Sequence, residues 1–418
     1  MLVAPRHLAP LAAILAAATC SDPPSAAKTG EPLTALPRAL TTAEREAVDA
    51  GNEFSLALLR EVNARKHGKN VFISPLSASM ALGMTANGAA GATETAMRGT
   101  LGIGGGASAD QMNEAYRGLR TLLLGLDPSV KIGIANSIWY RSGFPVLPSF
   151  VDASRTYFDA QVTAANFDDP ATVGRINDWA KAKTEGRIPK VIDALERDVV
   201  MILMNALYFK GSWRSRFDSA RTQLAAFRRD DGSVVQAPLM SQSEMPVRIG
   251  YVDDVQVAEL PYGNGAFVMT VVLPPAGTTA DMLVASLDSD KWTRLLGSLR
   301  EAEIDVVLPR FRITYEDEWK DVLSAMGMGP AFCDGATDFT RMAAPPLGDK
   351  LCISLVKQNA FVDVNEEGTE AAAVTTVEVR VVSAPPQFRA DRPFVFAIRE
   401  RFSGAILFVG KITDPTTR

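Results

Sequence analysis

From Thr369 to Val381 the chain alternates with a period of two. Thr369, Ala371, Ala373, Thr375, Val377, Val379 and Val381 fall on one face, all small or apolar. Glu370, Ala372, Val374, Thr376, Glu378 and Arg380 fall on the other, with a charge at each end. This is the period of a strand with one buried face. The run starts after Gly368 and stops before Pro385-Pro386, which cannot donate to a ladder. The stretch Ala371–Ala373 has poor strand propensity and packs weakly as a core strand. Two readings follow: an ordinary strand and turn, or a loop that can become a strand once a sheet accepts it.

Other patterns supply such a sheet. Met201 to Trp213 reads as an apolar strand buried on both faces and interrupted by one Asn, Asn205, which needs hydrogen-bond partners inside the fold. Ile132–Tyr140 alternates as a strand, and Phe267–Leu273 reads as a further strand. A helix is expected to begin near Thr42, at Thr-Ala-Glu, with Phe54, Leu58, Leu59 and Val62 at helical spacing. Val71–Ile73 reads as a short strand before Pro75, which opens a second helix carrying Met80, Leu82 and Met84. Gly102–Gly106 lacks the strand and the Lys-Ser/Thr of a phosphate loop and reads as a helix–helix connection.

The start of the chain reads differently. Residues 1–19 have a weakly basic beginning and an apolar Leu8–Ala18 run, which suits a secretory signal peptide better than a membrane span. Cys20 follows Ala17-Ala18-Thr19, similar to a bacterial lipobox but without its usual Leu and its usual Gly or Ala. Lipidation at Cys20 and simple cleavage both stay open. Residues 20–41 are Pro-rich with few large apolar residues, the composition of a disordered tether. The placement is therefore extracellular or in the cell envelope, with a folded domain over 42–418.

Composition narrows the chemistry. Hydrophobic residues at 47% and charged residues at 22% fit a globular protein with a large core. A net charge of −5 gives no support to nucleic-acid binding. Only His7 and His67 are present, and His7 falls in the signal peptide, so triad catalysis and His-rich metal sites are not supported. Ser354-Leu-Val-Lys357 has the S-x-x-K spacing, but on an expected strand the two side chains face opposite ways. The SxxK at Ser25 lies in the tether. Cys333 and Cys352 are read as two unpaired buried thiols, with a disulfide as the alternative in an oxidising compartment. Neither an enzyme, a cofactor nor a metal is expected.

Several motifs carry a resemblance. Glu366-Glu-Gly-Thr-Glu-Ala-Ala-Ala-Val-Thr-Thr376 resembles the reactive-loop hinge of serpins, the serine protease inhibitor superfamily. Asp391–Pro415 resembles that family's carboxyl-terminal strands, and Ser74-Pro75-Leu76-Ser77 the start of its second helix. Asn177…Trp179…Thr184…Gly186…Ile188 and Asn205-Ala-Leu-Tyr-Phe-Lys-Gly-Ser-Trp213 are similar to two further motifs, in family order. The resemblance covers about Thr42 to Pro415.

It implies an α+β fold, with helices around a large central mixed sheet and two smaller sheets, and an exposed reactive-centre loop over about 366–390. It implies no enzyme but a suicide substrate, a monomer whose partner is a target serine protease held as a covalent acyl-enzyme. The hinge comprises Glu366, Glu367, Gly368, Thr369, Glu370, Ala371, Ala372 and Ala373. The reactive bond is Val382–Ser383 by family spacing, suited to elastase- or subtilisin-like proteases, with Arg380 as the alternative for a trypsin-like enzyme. A polar "shutter" falls on Ser74, Ser77, Asn205 and Gln358, where Gln358 stands in place of a frequent His. A "breach" falls on Trp213 and Arg310, beside Glu366. The small hinge residues favour an inhibitor; a noninhibitory binding or chaperone-like surface protein of the same fold is the alternative.

Overall fold

The computed structural model describes residues 31–103, 107–333, 335–344, 350–369 and 387–417. The expected signal peptide, Cys20 and the tether as far as residue 30 lie outside the described residues.

In chain order the first half forms α1 (Thr42–Arg65), β1 (Val71–Ile73), α2 (Pro75–Ala86), α3 (Gly91–Thr100), α4 (Ala109–Gly125), β2 (Lys131–Arg141), α5 (Pro148–Phe158), β3 (Gln161–Ala165), α6 (Ala171–Lys183) and β4 (Met201–Ser212). There follow β5 (Gln223–Arg228), β6 (Val234–Val252), β7 (Val255–Pro261), β8 (Phe267–Leu273), α7 (Ala280–Ala285), α8 (Ser289–Ser298), β9 (Arg300–Pro309), β10 (Phe311–Glu318) and α9 (Lys320–Leu323). The chain closes with β11 (Lys357–Asn365), β12 (Gly368–Thr369), β13 (Gln387–Arg389), β14 (Phe394–Glu400) and β15 (Ile406–Ile412).

Local sequence explains the helix starts. Thr41 caps α1 by accepting from the Glu44 amide while Glu44 reaches back to the Thr41 amide, a reciprocal box one residue before the expected start. Ser74 caps α2, and Pro75 occupies the first turn, where its missing N–H costs nothing.

The sheets are mixed, as expected. One runs β10–β11–β12–β4–β2–β3, antiparallel except for the parallel β2–β3 pair. The other strands, expected as two smaller sheets, are joined in one nine-stranded path, β1–β15–β14–β8–β7–β6–β9–β13 with β5 on β6. The join is β6, which spans both parts and shifts register between Gln242 and Met245, with Glu244 at φ 50°. β8, β14 and β15 are buried at every residue, and Phe72 stacks on Phe396 and Phe408 between them.

Three sequence expectations need correction. Over Met201–Asn205, β4 is only partly buried; Ile202 and Met204 pack with α6 residues such as Ile176 and Trp179, while Met201 and Leu203 face the main core. The described end of the expected tether lies on the body rather than free of it. Leu33, Leu36 and Leu40 pack on the core, the Leu33 amide donates to Asn264 O at 2.9 Å, and Arg38 pairs with Glu44. Three leucines at spacings of three and four, diluted among prolines, carry that docking.

The third concerns the cysteines. Cys333 and Cys352 form a disulfide with Cα atoms 4.8 Å apart, and neither is buried. The two segments are brought side by side by a bridge between Phe332 and Ile353 and by the Ile353 amide donating to Ala331 O at 3.0 Å. Ser354 lies in the irregular segment between Cys352 and β11, not on a strand, and Lys357 pairs with Glu316.

Among the described residues no helix is long and apolar enough to cross a membrane. The disulfide closes a loop of sequence separation 19. Chain-entropy arithmetic gives it on the order of 3 kcal/mol. Dithiothreitol, or Cys352→Ser, is therefore expected to lower the urea midpoint of the full chain; the same midpoint with and without reductant rejects a stabilising bond.

Candidate functional site

The site is a slot at one end of the six-stranded sheet. β4 and β11 are not paired with each other in the described residues; β12 lies between them, antiparallel to both. Gly368 pairs with Asn365 and Ser212, and Thr369 with Val364 and Gly211. Gly368 has φ 148°, and a Cβ there would stand 2.1 Å from Gly211 O and 2.6 Å from Ser212 Cα. Only glycine fits so close to a neighbouring backbone. Thr369 is 2% exposed, and its hydroxyl lies 2.9 Å from that of Tyr262.

Polar clamps hold the residues just before the slot. The Trp213 amide donates to Glu367 O at 2.7 Å, and its indole Nε1 to Asn365 O at 2.8 Å. The Phe217 amide donates to Glu366 O at 3.0 Å. The Glu366 carboxylate receives Arg310 and the Thr222 hydroxyl (2.6 Å), and Glu367 pairs with Arg216 at 3.0 Å. Burial pushes the Glu366 carboxyl up, but the bonds from Arg310 and Thr222 outweigh it and leave the group below its ordinary value.

Tyr262 sits beneath this clamp. It stacks on Trp213 with centroids 4.4 Å apart, meets Phe209 edge-on, and has 0% exposure. Burial raises its phenol pKa, so the hydroxyl is neutral.

A second polar node lies along the same two strands. Gln358 on β11 makes a two-way amide clip to Ser74: its Oε1 accepts from the Ser74 amide at 2.7 Å and its Nε2 donates to Ser74 O at 2.9 Å. The Ser74 hydroxyl donates to Leu407 O at 3.0 Å and accepts from the Ser77 amide. Ser77 bonds Asn205, whose Nδ2 donates to Asn136 Oδ1 at 2.7 Å; Asn136 then donates to Phe158 O at 2.7 Å. The structure thus brings Ser74, Ser77, Asn205 and Gln358 together, and brings Trp213 and Arg310 to Glu366–Thr369.

Some partners escaped sequence reasoning. Asn136 had a signal, a polar residue in an apolar strand like Asn205, which it faces directly in the β2–β4 register. Tyr262, Thr222 and Arg216 had none, since only folding brings them to the hinge. Glu370, Ala371, Ala372, Ala373, Arg380, Val382 and Ser383 lie outside the described residues. Among the described residues no cluster of His, Cys, Asp or Glu is placed to hold a metal.

A family model described as serpin (serine protease inhibitor) matches residues 49–415. The chain is 32% identical over 395 residues to Serpin-Z1C of Triticum aestivum, covering 90% of this chain and 98% of that protein. Among solved structures it is similar to the thermophilic serpin tengpin in its native state, with TM-score 0.81, 27% identity, and 92% of this chain and 97% of that one covered. It is also similar to human thyroxine-binding globulin complexed with thyroxine, with TM-score 0.80, 26% identity, and coverage of 90% and 100%.

Two predictions follow from the geometry. Gly368→Ala is expected to expel β12 from its seat, because the methyl collides with backbone that cannot turn away; limited proteolysis should then cut near residue 369, and unchanged resistance contradicts the account. Glu366 has a lowered folded pKa, so its contribution is present above the ordinary glutamate range, about pH 4.3, and is lost as pH falls through the folded value. Acidification below that range is expected to loosen the hinge base, and Glu366→Gln to remove that part of the dependence. An identical acid profile of proteolysis in the variant assigns the effect elsewhere.

Proposed function

The chain belongs to the serpin family, whose members are typically protease inhibitors, and we propose that it inhibits a serine protease as a suicide substrate. The protease attacks the loop and forms an acyl-enzyme. The freed loop then enters the central sheet as a new strand, carrying the protease with it and distorting its active site.

The observation that carries this reading is the pair Gly368 and Thr369 seated between β4 and β11. Among the described residues, the facing edges of β11 below Val364 and of β4 below Gly211 have no strand partner. Extending the register of Gly368 and Thr369 sets Glu370–Thr376 against both strands and continues to Val379 along β4. In that register Ala371 meets Val362 and Phe209, and Ala373 meets Ala360 and Leu207. Thr375 reaches Gln358 and Asn205, so its hydroxyl arrives at the polar node. Each ladder bond contributes on the order of 1 kcal/mol net. That suffices to drive the transition if the uncleaved state is held kinetically. Small residues at 371 and 373 suit entry between closely spaced strands.

Val382–Ser383 is the proposed reactive bond, for an elastase- or subtilisin-like enzyme; Arg380 is the alternative for a trypsin-like one. The protein is proposed to act as an exported monomer, secreted or held at the cell envelope through Cys20. An exposed disulfide supports an oxidising compartment. A second reading, a noninhibitory binding protein, draws on the similarity to a thyroxine-binding globulin.

Incubation with pancreatic elastase and with trypsin, followed by denaturing gels, separates these readings. A covalent, heat-stable complex is expected with elastase, and the released carboxyl-terminal peptide should begin at Ser383. A complex with trypsin and a peptide beginning at Val381 moves the bait to Arg380. Clean cleavage by both, with no complex, rejects inhibition.

A further inference from the structure

We infer that Tyr262 is a positioning residue that reads the hydroxyl of Thr369 and keeps the first hinge residues seated in the sheet before the loop is cut. The inference deepens the proposed function by naming what starts insertion.

The Tyr262 side chain is fully buried, its ring stacked on the indole of Trp213 and set edge-to-face with Phe209. Thr369 Oγ1, at 2.9 Å, is its one hydrogen-bond partner among the described residues, and Thr369 has no other side-chain partner there. Each hydroxyl therefore depends on the other. Withdrawal of Thr369 from the slot would leave the buried phenol O–H without that partner, and an unpaired buried polar group is strongly disfavoured. Withdrawal also breaks the two-sided ladder of Gly368 and Thr369. The other contacts of this corner, from Trp213, Arg310, Arg216 and Thr222, reach residues 365–367 and grip the chain before the slot. Among these side chains in the described residues, Tyr262 is the one with a hydrogen bond to a residue inside it.

The position of Tyr262 is itself fixed by the fold. Trp213 and Tyr262 form a bridge between the end of β4 and the end of β7, and the Gly263 amide donates to Ser212 O at 2.9 Å. The phenol is thus held to β4, one wall of the slot, and meets Thr369, the residue from which a new strand must grow. Insertion then starts from a ladder already two residues long. The slow step of forming the first strand contacts is complete before cleavage, which favours trapping the acyl-enzyme over its hydrolysis.

Hydroxyl pairing makes a signature that simple packing does not. Tyr262→Phe leaves the Thr369 hydroxyl unpaired, and Thr369→Val leaves the Tyr262 hydroxyl unpaired at nearly constant volume. The double variant removes both polar groups and restores a satisfied, apolar contact. The test uses the full uncleaved chain and amide hydrogen exchange at Gly368 and Thr369, a readout that does not require inhibition. Each single variant is expected to speed exchange by about tenfold or more, Thr369→Ser to stay near the parent, and the double variant to return toward the parent. Thermal unfolding of each variant controls for loss of fold. Exchange that is unchanged in the single variants, or a double variant as fast as the two effects multiplied, overturns the inference. With elastase, the singles are also expected to consume more inhibitor per enzyme trapped, and the double less than either. If the parent forms no covalent complex, the proposed function fails while the exchange cycle still decides the role of Tyr262.

Discussion

The close approach of the Gly368 backbone to that of Gly211 and Ser212 is the constraint on which the rest of this corner depends. Two strands that would otherwise meet are held apart by a third segment with no room for a side chain at its entry. Backbone hydrogen bonds can form there, but side-chain packing cannot hold the segment in place. Retention falls to polar groups on either side: the carboxylates of Glu366 and Glu367 before the slot and the hydroxyl of Thr369 within it.

Those polar groups do more for specificity than for stability. A buried hydrogen bond adds about 1 kcal/mol net, but losing one partner costs the full desolvation of the other. The Tyr262–Thr369 pair and the Ser77–Asn205–Asn136 relay therefore select one arrangement of β4 among its neighbours more than they deepen its energy. The two nodes sit at different points along the same slot. A strand that grows from Thr369 in the observed register meets them in turn, and both offer hydroxyl or amide partners. The clip from Gln358 to Ser74 is made by an amide, which does not titrate, so this joint holds its form across pH where an imidazole would change charge.

Much of the fold was legible because its signals are local. Ser74-Pro75 announces α2 through a capping hydroxyl and a fixed φ, and the run at Phe267–Leu273, apolar but for Thr270, announces a strand buried on both faces. Asn205 announced a polar node by its type alone. Its partner Asn136 was readable on the same principle, but their pairing required the register of β2 on β4. Other features were hidden by composition or distance. The leucines of residues 33–40 were diluted by prolines, and the separation of Cys333 and Cys352 in the chain says nothing of the bridge that aligns Phe332 with Ile353. The joining of two sheets into one path runs through β6, whose pairing with β5, β7 and β9 alternation alone does not reveal.

By itself, the sequence determined the family, the α+β class, the run of small residues from Thr369 and the polar character of the node, since each follows from residue type and spacing along the chain. Tertiary structure decided that Thr369 is already inside the sheet, that Tyr262 is the group that meets it, and that Arg310, Thr222 and Arg216 share the two glutamates before it. Those are contacts between segments remote in the chain. Their geometry is set by strand register and by how closely two backbones approach, and neither is written in any one stretch of residues.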